Sequence, residues 1–148
     1  MPSIRHSFDA KCSPDALWAV LADLTSVAET NPLVSSVVIV GDRKSGVGAT
    51  RRCALRPKGS VTERVWSQEE GRALGLEVVE SDWPVTMMSW KTEIVKRPEG
   101  ARLDQVLEYR MKFGPLGWLL NALVMRRAIG RNVGEALKGV VRVAEGLA

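Results

Sequence analysis

The sequence predicts an α+β protein: a seven-stranded antiparallel sheet, two short helices after the first strand, and a long C-terminal helix for the strands to wrap. Three observations predict it. Residues 114–148 place apolar or small side chains at Leu119, Leu123, Gly130, Val133, Leu137, Val140, Ala144 and Leu147, which is helical spacing. Between Val34 and Gly114, turn signals recur about every ten residues between runs of strand character. Ser13-Pro14-Asp15 forms a helix start directly after the first alternating run, with serine as N-cap, proline at the first helical position and an acid in the first turn.

The elements follow in order. Residues 3–12, SIRHSFDAKC, alternate with Ile4, His6, Phe8 and Ala10 on one face, giving the first strand. The helix that starts at Ser13 continues through ALWAVLADL and buries Leu17, Val20 or Leu21, and Leu24. A second small helix is expected within Thr25–Asn31, ended by Pro32, which disfavours helical geometry in the residue before it. Six strands are then expected over residues 34–41, 46–55, 60–67, 73–81, 85–96 and 101–113. The polar turn 68–71 joins the third to the fourth of these, and residues 97–100 join the fifth to the sixth. The last run is the cleanest. Leu103, Leu107, Tyr109, Met111 and Phe113 face one way and Arg102, Asp104, Glu108, Arg110 and Lys112 the other, the pattern of an antiparallel sheet with one wet face.

The C-terminal helix is expected to run on the order of 45 Å at 1.5 Å per residue. Arg126, Arg127, Arg131, Lys138 and Arg142 stand against only Glu135 and Glu145, so its outer face is basic. Gly130, Gly134 and Gly139 each cost roughly 1 kcal/mol relative to alanine in a helix interior. Gly130 and Gly134 lie one turn apart on the covered side and admit two readings: room for a ligand beneath the helix, or close packing and a bend. Gly146 reads as a terminator.

A chain of 148 residues, 45% hydrophobic and 26% charged, fits one domain spanning 1–148, with no repeats, linker or low-complexity segment. Cys12, Cys53 and the single His6 have no metal-ligand spacing, so neither metal nor cofactor is expected. The first ten residues lack the apolar core of a signal peptide and no apolar run approaches a membrane span, which gives a cytoplasmic expectation. A formal charge of +4 permits attraction to polyanions, but the basic residues form no single block and no nucleic-acid partner is expected. Peripheral membrane contact and oligomeric state stay open.

No nucleophile–base–acid set is visible, and His6 reads better as a hydrogen-bonded core residue than as a catalyst. Gly46-Val47-Gly48 lacks the context of a dinucleotide fingerprint and reads as a hairpin or bulge. Gln105 is in phase with Leu103, Leu107 and Tyr109, so its amide faces the core and needs a partner. Glu63 is in phase with Val61 and Val65. On an inner face it is a carboxylate in an apolar wall, able to act as acid or base or to hold a ligand's polar end, unless Arg51 or Arg52 compensates it in a salt bridge. Trp66, Trp83 and Trp90, with Met87, Met88 and Met111, supply adaptable apolar surface for a pocket wall or a core. Trp90 is the strongest of these, because Met88, Trp90, Thr92 and Ile94 share a face. Trp118, beside Gly114 and Gly117, is expected to border a cavity mouth, and those glycines suggest a hinge or a plain turn.

The order of strand, two helices, six hairpin-connected strands and terminal helix resembles the helix-grip fold of the START-like (SRPBCC) superfamily, in its polyketide cyclase/dehydrase and lipid-transport group. Local matches are Ser13-Pro14 with Trp18 and Asp23, Asn31-Pro32, Gly46-Val47-Gly48-Ala49 leading to Arg51, and Val61-Thr62-Glu63-Arg64-Val65. The resemblance implies a curved sheet gripping the terminal helix, with an elongated apolar cavity between them. It does not imply a reaction. The expected function is binding of a small hydrophobic ligand, such as a lipid, quinone, isoprenoid or polyketide-like aromatic. The expected contacts are Trp66, Met88, Trp90, Gln105, Leu107, Tyr109 and Met111 from the sheet, with Gly130, Val133, Gly134 and Leu137 from the helix. One alternative is a cyclase or dehydratase with Glu63 or Tyr109 as acid/base and Arg51 stabilising an enolate. Another is an interaction module using the basic helix face at Arg126, Arg127 and Arg131.

Overall fold

A computed structural model describes residues 3–83, 85–111, 115–116, 119 and 126–146. Strand β1 (Ser3–Ala10) is followed by helix α1 (Pro14–Ala22), a 3-10 turn (Leu24–Ser26) and helix α2 (Val27–Thr30). Strands β2 (Val34–Val40), β3 (Thr50–Leu55), β4 (Ser60–Glu69), β5 (Ala73–Ser81), β6 (Val85–Arg97) and β7 (Gly100–Met111) come next, and helix α3 (Arg126–Gly146) closes the described chain. The predicted N-terminal part of the long helix, including Trp118 and Leu123, lies outside the described residues, as do Phe113, Leu147 and the glycines of the suggested hinge, Gly114 and Gly117.

The seven strands form one curved antiparallel sheet in the order β1-β7-β6-β5-β4-β3-β2. The helical excursion after β1 carries the chain to the opposite edge, and a meander of hairpins brings it back until β7 pairs with β1. Local chemistry fixes that excursion. The Ser13 hydroxyl accepts from the Ala16 N–H at 3.1 Å and caps α1. Asp23 then accepts from the Thr25 N–H at 3.0 Å and starts the 3-10 turn. Asn31, before Pro32, is extended and ends α2.

Most strand boundaries shift from expectation by one or two residues, and two of the shifts, in β3 and β4, bear on the site. Strand β3 begins at Thr50, not Gly46, because Gly46 (φ 82°) and Gly48 (φ 94°) take left-handed conformations that a pleated strand excludes. The Gly48 N–H instead donates to the Val65 carbonyl at 2.9 Å, and the Val65 N–H to the Ala49 carbonyl at 2.9 Å, so the loop is tied to β4. Strand β4 runs on to Glu69, with register shifts at Thr62/Glu63 and Val65/Ser67. Val61, Glu63 and Val65, which the sequence placed in one phase, face inward, while Trp66 points to the outer face.

Helix α3 buries Ile129, Gly134, Leu137, Gly139, Val140, Val141 and Ala144. Its glycines answer to neighbours. A Cβ on Gly139 would run into the backbone carbonyl of Thr30, so the missing side chain lets α2 cross α3 at contact distance. Cβ atoms on Gly134 and Gly130 would sit 3.4 Å from His6 Cε1 and 3.9 Å from Ile4, which places both glycines over β1. Of the two readings open for Gly130 and Gly134, packing over β1 is the one this geometry supports, and neither glycine lines the cavity. Leu17, Val20, Leu103, Leu137, Val140 and Ala144 form the core where α1, α3 and the sheet meet. Among the described residues, no helix is long and apolar enough to cross a membrane.

Candidate functional site: a cavity between the sheet and helix α3

Alternation along the strands sends one set of side chains into the hollow of the sheet, and α3 does not fill it. The remaining cavity has a volume of about 190 Å³. Strand β3 contributes Arg51 and Cys53, β4 Val61 and Glu63, β5 Leu74 and Leu76, β6 Met88, Trp90 and Thr92, and β7 Gln105. Helix α3 supplies Ile129, Val133, Leu137 and Val140, and the α1–α2 segment Val20, Leu21, Val27 and Thr30. Asn31, Leu33, Leu55 and Trp83 are half-buried and Asn132 is exposed, so solvent reaches the lining between the α2–β2 loop, the far end of β3 and the outer turn of α3.

The lining is mostly apolar, with two polar stations. At the first, Arg51 and Glu63 are cross-strand partners of the β3–β4 ladder. Arg51 Nε and Nη2 each lie 2.8 Å from Glu63 Oε1, and Nη1 donates to the Leu24 carbonyl at 3.1 Å. Both side chains are 8% exposed, so the charges are paired within the wall. The compensation expected for a buried Glu63 is thus supplied by Arg51, whereas Arg52 faces outward. Cys53 lies in phase with Arg51, and burial, reinforced by the nearby Glu63 charge and opposed by Arg51, pushes its thiol up to about 12.

At the second station, Gln105 Nε2 donates to Thr92 Oγ1 at 2.9 Å across the β6–β7 ladder. Both residues are buried.

Of the predicted site residues, Arg51, Glu63, Met88, Trp90, Gln105, Val133 and Leu137 share this cavity. Leu107, Tyr109 and Met111 are buried beside it in a cluster with Val85, Met88 and Ile129, outside the lining. Trp66 is placed differently from expectation: it is 43% exposed on the outer face and covers Gly75, where a Cβ would lie 2.7 Å from the indole. Glu63 and Arg51 are together, but Tyr109 does not join them at the cavity surface. Sequence reasoning missed Cys53, Leu74, Leu76 and Thr30 as lining residues. The first three carried a signal, since each alternates in phase with another inward side chain of its strand.

On the basic face of α3, Arg126, Arg127 and Arg131 are exposed, Lys138 lies 3.7 Å from Glu135, and Arg142 donates to the Glu29 carbonyl at 3.2 Å. Among the described residues, no group of three His, Cys, Asp or Glu side chains converges to hold a metal.

Residues 1–145 match the family model described as polyketide cyclase / dehydrase and lipid transport. The chain belongs to this family. Two solved structures show the same helix-grip architecture as this family member. The protein XoxI from Bacillus cereus is 15% identical with a TM-score of 0.78, over 99% of this chain and 98% of the other. TTHA0849 from Thermus thermophilus is 19% identical with a TM-score of 0.82, over 99% of each chain. At those identities the likeness is one of fold. No curated protein matches the sequence.

Proposed function

We propose that this member of the polyketide cyclase/dehydrase and lipid-transport family binds a small hydrophobic molecule, a lipid, quinone, isoprenoid or polyketide-like aromatic, in the cavity between the sheet and α3. The observation that carries the reading is an apolar cavity open to solvent on one side and interrupted only by a few polar side chains. Such a site draws affinity from apolar area removed from water, about 25 cal/mol per Å². Its few polar groups then set orientation. A single water needs only about 10–15 Å³ measured as space open to its centre, so a cavity of about 190 Å³ has room for a multi-atom guest. Family membership supports a hydrophobic-ligand role in general and leaves the ligand class to the lining.

The test is calorimetric titration with naphthalene and a panel of lipids and quinones, on wild type and on Val133→Trp, which projects a large side chain from α3 into the cavity. Saturable one-site binding that Val133→Trp weakens at least about tenfold is expected. Binding that the substitution leaves untouched would move the site elsewhere.

A further inference from the structure

Among the described residues that line the cavity, Arg51 and Glu63 are the ones that carry a charge. The side chains at its open side, Asn31, Leu33, Trp83 and Asn132 among them, are neutral. Cys53, in phase with Arg51, is a protonated thiol at neutral pH because burial raises it. Every nitrogen of Arg51 is engaged: Nε and Nη2 reach Glu63 Oε1, and Nη1 donates to the Leu24 carbonyl. The last bond ties the guanidinium to the turn between α1 and α2, so it is held from two sides. The wall contains a cation but has none to spare for an incoming anion.

We propose that the cavity selects uncharged guests over carboxylates, and that Glu63 sets this selectivity by keeping Arg51 neutralised. The inference rests on the ligand-binding reading above and narrows it. A carboxylate entering the cavity loses its water and regains a partner only by drawing Arg51 away from Glu63, which strands Glu63 as a buried unpaired charge. An alcohol, ester, quinone or hydrocarbon gives up less hydration and leaves the pair intact. Neutral lipids, quinones and isoprenoids therefore suit the site, whereas ionised fatty acids and aromatic acids do not.

The probes are naphthalene, 2-naphthamide and 2-naphthoate, titrated by calorimetry into wild type, Glu63→Gln and the double variant Arg51→Met with Glu63→Leu. The amide and the carboxylate share a shape and differ in charge. At about pH 7, wild type is expected to bind 2-naphthamide at least about tenfold tighter than 2-naphthoate. The apparent affinity for the acid should rise about tenfold per pH unit as pH falls from about 7 to 5, because its protonated form is the one admitted, while that for the amide holds. Glu63→Gln, which releases Arg51 to a guest, should bring the amide-to-carboxylate ratio to about one or below. The double variant, whose wall holds no cation, should keep the wild-type ratio. If Glu63→Gln fails to fold, the wild-type ratio, its pH dependence and the double variant decide. A wild type that binds the carboxylate as tightly as the amide, or a ratio that Glu63→Gln leaves unchanged, would overturn the selectivity while sparing the cavity. Failure of wild type to bind naphthalene would overturn the ligand-binding reading as well.

Discussion

Arg51 Nε and Nη2 both reach Oε1 of Glu63 at 2.8 Å, across one rung of the β3–β4 ladder and inside the wall of an apolar cavity. A buried pair of this kind is costly to break and cheap to replace, because removing one partner leaves the other charge desolvated. Glu63→Gln should therefore destabilise the protein by about 3–5 kcal/mol. The double substitution Arg51→Met with Glu63→Leu should recover most of that loss. Urea denaturation of the two variants and wild type measures both, and a double variant no more stable than Glu63→Gln would contradict the pairing.

The glycines of α3 separate by what lies beneath them. Gly139→Ala drives a methyl group into the Thr30 carbonyl, a backbone atom that moves only with α2, and should cost at least about 2 kcal/mol. Gly130→Ala meets nothing closer than Ile4 at 3.9 Å and should stabilise by roughly 1 kcal/mol through helix propensity. Thermal melts of the two single variants should move in opposite directions.

Cys53 makes stability depend on pH on the alkaline side. Its thiol is pushed above the ordinary 9.0 to about 12, so the folded state favours the protonated form. That contribution is fully present below pH 9 and is lost as pH rises from 9 towards 12. Cys53→Ala should flatten the fall in stability over this window relative to wild type. In the native protein, Cys53 should also react with iodoacetamide far more slowly at pH 8 than it does in urea, as peptide mapping can follow.

Two tryptophans of the sheet should behave differently towards a guest. Trp90 lines the cavity, so Trp90→Ala should weaken naphthalene binding about tenfold or more through lost apolar contact. Trp66 covers Gly75 on the outer face and donates to the Leu76 carbonyl at 3.2 Å, so Trp66→Ala should lower stability and leave affinity within about twofold. Titrations of both variants decide between them.

Most of the fold was legible because most strands have one face that meets water. In β7 the alternation from Arg102 to Met111 is nearly unbroken, and burial follows it residue by residue. The helix start at Ser13 was legible for a different reason: capping chemistry is local, and the Ser13–Ala16 bond confirms it. The start of β3 was not, because Val47 and Ala49 imitate strand alternation while the backbone of Gly46 and Gly48 turns left-handed. Trp66 was misplaced because its size suggested a pocket wall, although it is out of phase with Val61, Glu63 and Val65 and so falls on the outer face by plain alternation. The glycines of α3 show a deeper limit. A missing side chain announces a close approach, but only the packing of β1 and α2 shows what approaches. The sequence offered Arg51 or Arg52 as the partner of an inward Glu63, and the β3–β4 register, invisible in the sequence, selects Arg51; Tyr109, in phase with the inward Leu103 and Leu107, still lies outside the lining, since depth within the core depends on how α3 covers each strand.

Native mass spectrometry of freshly purified protein, followed by solvent extraction and uptake of lipids, quinones and hydroxylated aromatics, tests the central claim most directly. One apolar molecule bound per chain, carried from the cell or taken up from the panel and excluded by Val133→Trp, is the predicted result. A protein that is empty as purified and takes up none of the panel would contradict it, and would leave the cavity as a packing defect of the grip between sheet and helix.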